Sequence, residues 1–499
     1  MTQQQQQQVA FIPPKLSRKE RRILRELHSL DRGEAVETTD VEEAPLLSRL
    51  GRIARGHVPN LKLPRHSGTG WEWAGLNPFP FSDVPVVAGP VIGLERTSGG
   101  QPFSFHAWHM YNDDIITSPN VLFKGGIGRG KSYFMKRMVA LGTLFGVHSI
   151  NTSDVKGEHG VVAVALGGQW YRVGAFGEAV RVNPFEKGER HFKETAIEHE
   201  QRIHASRQLV AQQLAGLLLE DEDPLTTIEK SILAWALEEV VRETNDHPTI
   251  RKLVQKIDDA EALRTARGNR FEPGEERRLR FLFDPMLTGN LAGMFEDEGT
   301  VRFNPDSPYT VFDTYAMQKR GDLALALTQT ITNSWVMNVV SNKSAGRMIQ
   351  VIREEGWRDM KTLQGLEAHE LQLKLSREYG ISLMMAVHED GDFDSVGTQG
   401  SKERELAQKL LRQYAVSFTF HQGDRTRRRA VESGNLTPGE AAMLASFAGQ
   451  QGLCLLQADE QSFVIDGRAT STAWERELFD TDRAMRAREV QHEAQEGAA

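Results

Sequence analysis

Apolar positions recur along this chain with two different periods, and the switch between them divides it into regions. Near the start, Ile23, Leu24, Leu27 and Leu30 share one helical face, and Ser17 with Glu20 has capping-box spacing. The opposite face carries Arg18, Lys19, Arg21, Arg22 and Arg25. That pattern fits either a helix that docks on a membrane surface or partner, or a plain solvated face. A second short helix is predicted over residues 46–54, and the Gly-, Pro- and His-containing stretch 56–70 reads as a tether. Residues 1–85 are therefore expected to form an N-terminal arm. From residue 86, short apolar runs at 120–123, 147–150 and 161–166 alternate with helical patterns, which predicts an α/β core with a mainly parallel sheet. Strand signals vanish between 193 and 290, where 207–220, 226–244 and 250–263 read as helices separated by Pro-containing breaks. They resume at 309–312, 348–352, 382–387, 416–420 and 453–457. The expected organisation is thus an arm (1–85), a core in two parts (86–192 and 291–482), an all-helical insertion (193–290) and a charged tail (483–499).

Composition narrows the class without choosing it. The chain has 499 residues, an ordinary balance of apolar and charged side chains, and a formal net charge of −8. That charge argues against a surface that clings everywhere to nucleic acid, while leaving room for a local basic patch. The one cysteine, Cys454, lies in an apolar run and reads as a buried thiol. No apolar stretch approaches the roughly 20 residues that cross a bilayer, and the glutamine run at the start is not a secretory signal. Any work at a membrane is expected to go through a partner or an amphipathic surface.

The chemistry is concentrated in Gly125-Gly126-Ile127-Gly128-Arg129-Gly130-Lys131-Ser132, a complete G-x-x-x-x-G-K-[ST] match. An apolar strand precedes it and a helical pattern beginning at Tyr133 follows, which is the setting the motif needs. Glycines let successive backbone N–H groups turn onto phosphates, and the helix start adds the positive end of its dipole. Lys131 is expected at the β- and γ-phosphates of ATP and the Ser132 hydroxyl at Mg2+, with Tyr133 completing the binding segment.

Such a loop needs acids at the end of a neighbouring strand. The run Met348-Ile349-Gln350-Val351-Ile352-Arg353-Glu354-Glu355 ends in two. Glu354 is assigned to the metal shell and Glu355 to orienting the attacking water. Asp313, ending another apolar run, is a rival for the metal role. Asp154 and Glu158, in Asp154-Val155-Lys156-Gly157-Glu158, follow the next strand after the loop, and that edge of a parallel sheet is where ligands bind. They are candidates for the magnesium or water network, or form a charged turn. His388 ends the run 383–387, where a polar side chain can sense the γ-phosphate or face solvent. Arg412, Arg425, Arg427, Arg428 and Arg429 flank the strand at 416–420. Of these, Arg412 and Arg425 are the candidates for an arginine that reaches a neighbouring subunit's γ-phosphate; a solvated loop or a polyanion contact fits the same cluster.

Taken together these motifs resemble the VirB/TraC-type conjugation ATPases of type IV secretion systems, within the FtsK/HerA superfamily of P-loop motors. The resemblance rests on Gly89-Pro90-Val91-Ile92-Gly93, the P-loop, Asp154-x-Lys-Gly-Glu158, Asn183-Pro184-Phe185, and Gly289 to Phe295. Glu354-Glu355-Gly356-Trp357 and the ending Glu475-x-x-Leu478-Phe479-x-Thr481-Asp482 complete it. It implies a RecA-like P-loop NTPase core with an inserted all-helical domain. It also implies a cytoplasmic hexameric ring that hydrolyses ATP with Mg2+ and works with membrane-embedded secretion or conjugation subunits, with DNA as a further partner. Three features depart from the family: a short arm where a large N-terminal domain is usual, Glu-Glu in place of Asp-Glu, and His388 where Gln is common. Two other readings remain beside the motor, a DNA-pumping coupling protein of the same superfamily and a nucleotide-binding assembly scaffold with little turnover. A GTPase is disfavoured, because Asn342-Lys343-Ser344-Ala345 lacks the acid of a guanine-reading motif.

Overall fold

The computed structural model describes residues 84–479 apart from 86, 98, 127, 176–179, 189, 191–193, 220–223, 260–275, 303, 305, 341–347, 355–362 and 388–400. The N-terminal helices, the charged tail, Ile127, Glu355 and His388 lie outside the described residues.

Eleven strands make one sheet: β1 (Val91–Glu95), β2 (Gln101–Ser104), β3 (Val121–Lys124), β4 (Val147–Asp154), β5 (Gln169–Arg172), β6 (Tyr309–Asp313), β7 (Met348–Arg353), β8 (Ile381–Val387), β9 (Val416–Thr419), β10 (Leu453–Ala458) and β11 (Gln461–Asp466). Their order is β2-β1-β11-β10-β9-β3-β8-β7-β4-β6-β5. Strands β9 through β5 in that order pair in parallel, so the α/β class with a mainly parallel sheet is the one observed. An antiparallel group, β2-β1-β11-β10, extends the sheet beyond β9. β1, β2, β5 and β11 were not among the expected strands; three of them are short and the fourth closes a tight hairpin with β10.

The helices are α1 (Ala107–Asn112), α2 (Lys131–Thr143), α3 (His159–Ala165), α4 (Ala196–Leu219), α5 (Thr227–Glu243), α6 (Ile250–Asp258), α7 (Arg277–Leu282), α8 (Asp284–Leu287), α9 (Tyr315–Gln318), α10 (Asp322–Val340), α11 (Leu363–Tyr379), α12 (Lys402–Leu411), α13 (Asp424–Glu432), α14 (Pro438–Ser446) and α15 (Ala473–Leu478). Among the described residues between β5 and β6 every element is helical. One expectation fails here: residues 161–166 are not a strand but belong largely to α3. A short apolar run does not distinguish strand from helix. The Asp154 carboxylate decides it, accepting the N–H groups of Glu158, His159 and Gly160 and so starting a helix.

Alternation along the buried strands sorts side chains between two cores. Val121 and Phe123 of β3, Met384 of β8 and Phe418 of β9 pack on the face that carries α2, against Phe134 and Met135. Leu122, Val351, Leu383 and Met385 face the other side, with α4, α5, α10 and α11. Arg137 locks α2 from behind. Its buried guanidinium pairs with Glu475 of α15 at 2.9 Å and donates to the carbonyls of Ile92, Gly467 and Thr470. The middle of α2 is therefore tied to β1, to the turn after β11 and to α15.

Candidate active site

Because the strands from β9 to β6 run parallel, their carboxyl ends lie along one edge. In order these are Phe420 after β9, Gly125 after β3, Val387 at the end of β8, Glu354 after β7, Asp154 at the end of β4 and Asp313 at the end of β6. The sheet thus collects on one rim residues that are scattered over some 300 positions of sequence.

The motif at 125–132 forms the turn from β3 into α2. Gly125, Gly128 and Gly130 have φ of 149°, 71° and 100°, the half of conformational space that side chains avoid. The Phe420 N–H donates to the Lys124 carbonyl at 2.7 Å, and a Cβ on Gly125 would stand 2.8 Å from the Phe420 Cβ. Neighbouring β9 therefore fixes where the loop begins. The N-cap of α2 is Gly130, which has no side chain with which to cap the helix start. Lys131 folds back to donate from Nζ to the carbonyls of Gly125 and Gly126, the latter at 3.1 Å. A lysine on loop carbonyls, beneath uncapped N–H groups and glycines without Cβ, is a cradle whose donors suit phosphate oxygens. Ser132 sits partly exposed on the first turn, and the Tyr133 ring packs edge-on against Phe479 at 5.7 Å.

Beside the loop lies a buried acid–base cluster. Glu354 is 5% exposed and receives His159 Nε2 at 3.1 Å; His159 Nδ1 in turn lies 2.6 Å from the Tyr309 hydroxyl. Lys136, on α2, pairs with Glu158 at 3.1 Å, both side chains wholly buried. Asp313 accepts Trp170 Nε1 at 3.0 Å and the Tyr315 N–H at 2.9 Å. Burial pushes the Asp154 carboxyl up to about 6; His159 opposes this, while Asp313 and Glu354 reinforce it. Burial would raise Glu354 as well, but the facing His159, with Lys156 and Lys136 beyond it, holds it at about 2. Burial lowers His159, and the charge and hydrogen bond of Glu354 more than reverse that. Glu354 is thus kept ionised and oriented while Asp154 is brought toward the neutral form.

The structure brings together Gly125, Gly126, Gly128, Arg129, Gly130, Lys131 and Ser132 in one loop, and Asp154, Glu158 and Glu354 in one cluster with Asp313. Asp154 is spent on the N–H groups of α3, and Glu158 turns to Lys136. Arg412 and Arg425 do not approach that cluster but line one cavity on the sheet face away from α2. Arg427 and Arg428 are engaged by Asp424 of their own helix, at 3.2 Å and 2.5 Å. Sequence reasoning missed His159, Tyr309 and Lys136. His159 directly follows Glu158, but nothing linear links it to residue 354, 195 positions on. Among the described residues, no three His, Cys, Asp or Glu side chains converge as a protein-only metal cage, and no helix is long and apolar enough to cross a membrane.

A strand, a glycine loop and a helix with acids on the neighbouring strand ends make this an α/β fold of the P-loop class. No protein-family model and no curated protein matches the chain. Among solved structures, VirB4 of Thermoanaerobacter pseudethanolicus superposes with a TM-score of 0.63 at 21% identity, over 79% of this chain and 100% of that one. The plasmid coupling protein TrwB, solved in complex with ADP and Mg2+, follows at a TM-score of 0.48 and 14% identity, over 78% of this chain and 97% of that one. The chain shares the fold of the VirB4 structure, as the resemblance in its motifs implies.

Proposed function

We propose that this protein is an ATP-hydrolysing ring motor of the VirB/TraC kind, powering conjugative DNA transfer or type IV secretion. The observation that carries this is the complete P-loop, folded as an uncapped helix start beside an ionised, buried Glu354. In this reading Gly126, Arg129, Gly130 and Tyr133 shape the nucleotide site, Lys131 leaves the loop carbonyls for the β- and γ-phosphates, and Glu355 orients the attacking water. Magnesium is ordinarily held by one or two protein groups plus the phosphates; Ser132 and Glu354 are the pair for it here, with Asp313 as the rival acid. When bound, the ion neutralises charge that develops on the transferred phosphoryl group. His159 and Tyr309 hold Glu354 in place, which makes them positioning residues. His388 is kept as the γ-phosphate sensor, and a neighbour's Arg412 or Arg425 as the trans-acting arginine. By the same reading the motor is a hexamer at the cytoplasmic face of membrane-embedded subunits.

Steady-state ATP hydrolysis tests this on the parent chain, Lys131→Ala, Glu355→Gln and Asp313→Asn. Turnover in the parent, abolished by the first two substitutions, is expected; Asp313→Asn then separates the two candidate metal acids. ATP binding without turnover above the Lys131→Ala background, at concentrations that form rings, would replace the motor with a nucleotide-bound scaffold.

A further inference from the structure

On the sheet face away from α2, a cavity of about 1150 Å³ opens between α11 and α12 on one side and α13 on the other. Leu122 and Lys124 of β3, Ser417 of β9 and Gln457 of β10 line it. Six cationic side chains converge there from four elements and one turn: Lys124, Lys374, Arg404, Arg412, Arg425 and Arg429. Asp459 is the one acid among the described lining residues, and it already accepts from the Thr117 N–H and hydroxyl at 2.7 and 3.1 Å. Lys374 has a partner in Glu370 at 3.1 Å, on its own helix. In a chain whose net charge is −8, this concentration of positive charge in a concave space is a departure from the average surface. Arg-rich, water-filled concavities are matched by ligands with several phosphate groups. The remaining described lining is largely hydroxyl and amide, and its one aromatic ring, Tyr414, is 7% exposed. Without an open ring to stack on, bases contribute little and the phosphates carry the binding.

The same cavity has two physical connections to the loop and to Glu354. Lys124, at its floor, immediately precedes Gly125. Tyr414 begins a buried chain: its hydroxyl meets His369 Nε2 at 3.0 Å, and His369 Nδ1 meets Arg353 Nη1 at 2.6 Å. Arginine can only donate, so Nδ1 accepts and Nε2–H donates to Tyr414, whose own hydrogen is left for Met385 Sδ at 3.7 Å. Burial and the facing Arg353 hold His369 well below the ordinary imidazole range, which keeps this single arrangement. Arg353 is followed directly by Glu354.

We propose that the cavity is a second ligand site, for a chain of phosphate groups gripped through their oxygens, and that its occupancy is coupled to the nucleotide site through Tyr414, His369 and Arg353. The binding half stands apart from the ATPase reading; the coupling half rests on it. A nucleic-acid strand and a free polyphosphate offer the same chemistry.

The test is fluorescence anisotropy of a labelled, mixed-sequence single-stranded oligonucleotide on the full chain, without nucleotide, over a series of salt concentrations. Wild type is expected to bind with affinity that falls as salt rises, and Arg404→Glu with Arg429→Glu to weaken binding at least about tenfold. The Gln versions of both should flatten the log–log salt slope by about 0.7 for each phosphate that is no longer neutralised. Competition by inorganic tripolyphosphate at equal phosphate concentration assigns the site to free polyphosphate, and its failure assigns it to a strand. Wild-type affinity in the substituted chains, or no salt dependence, overturns the site. For coupling, a non-hydrolysable ATP analogue should shift the oligonucleotide Kd by about fivefold or more in wild type and leave Tyr414→Phe unmoved. An equal shift in Tyr414→Phe, or none in wild type, overturns the coupling while leaving the site standing. Loss of turnover with oligonucleotide binding intact would instead count against the ATPase reading alone.

Discussion

The contact between His159 and Glu354 makes a sharp quantitative demand. Glu354 is an ionised carboxylate, 5% exposed, whose histidine partner stands 3.1 Å away and is itself fully buried. Replacing His159 by Ala leaves that carboxylate without its main compensation. Removing one partner of a buried pair costs about 3–5 kcal/mol, because the remaining charge stays desolvated. Replacing both residues removes the stranded charge, so the double variant should lose less than the sum of the single losses. A hydrogen bond to a charged group is worth about 1.5–3 kcal/mol net, and the coupling should fall in that range. Urea unfolding of wild type, His159→Ala, Glu354→Ala and the double variant, followed by circular dichroism with a common m-value, measures it. Additivity within about 0.5 kcal/mol would refute the reasoning, since residues that do not interact add to that precision. Turnover supplies a second readout. If His159 positions Glu354, His159→Ala should lower kcat far more than it raises KM for ATP, and His159→Gln, whose amide N–H can still donate, should recover part of the loss.

Three further outcomes follow from other parts of the chain. Gly125→Ala puts a Cβ at φ 149° and within 2.8 Å of Phe420, so it should cost about 1–3 kcal/mol of stability and abolish nucleotide binding; unchanged thermal unfolding would contradict the described loop. His106 caps α1, its Nδ1 accepting the His109 N–H at 3.2 Å, and burial, with His109 stacked on it, lowers its pKa to about 4. The unfolded chain then binds the extra proton below about 6.5, so stability should fall as pH drops from about 6.5 to about 4, by up to about 1.4 kcal/mol per unit. His106→Asn keeps an N-cap acceptor that does not titrate, and should flatten that stretch of the unfolding-versus-pH profile. Burial, and then the charge of Asp466, push the Cys454 thiol far above its ordinary range, so a disulfide reagent should label it only after denaturant is added; rapid labelling of the native protein would place β10 wrongly.

Much of this protein is written locally in its chain. The motif at 125–132 is legible without a distant partner, because its glycines permit the positive φ that Gly125, Gly128 and Gly130 adopt and its lysine stands at a helix start, although β9 fixes where the loop begins. The buried parallel strands at 121–124, 348–353 and 381–387 are legible for a similar reason: covered on both faces, they read as continuous apolar runs. Residues 161–166 show where that reading fails. Their apolar run is compatible with strand or helix, and the Asp154 carboxylate resolves it by capping three N–H groups. What the sequence alone could not decide is which acid faces which base. Glu354 and Asp313 look alike as strand-end acids, yet one meets His159 and the other Trp170, because β7 and β6 flank β4 on opposite sides. Nor does any spacing announce that Arg412 and Arg425 share a cavity with Lys124, hundreds of positions earlier. Local conformation depends on neighbours in the chain and can be read from it; pairing of charges depends on strand order, and only the assembled sheet sets that.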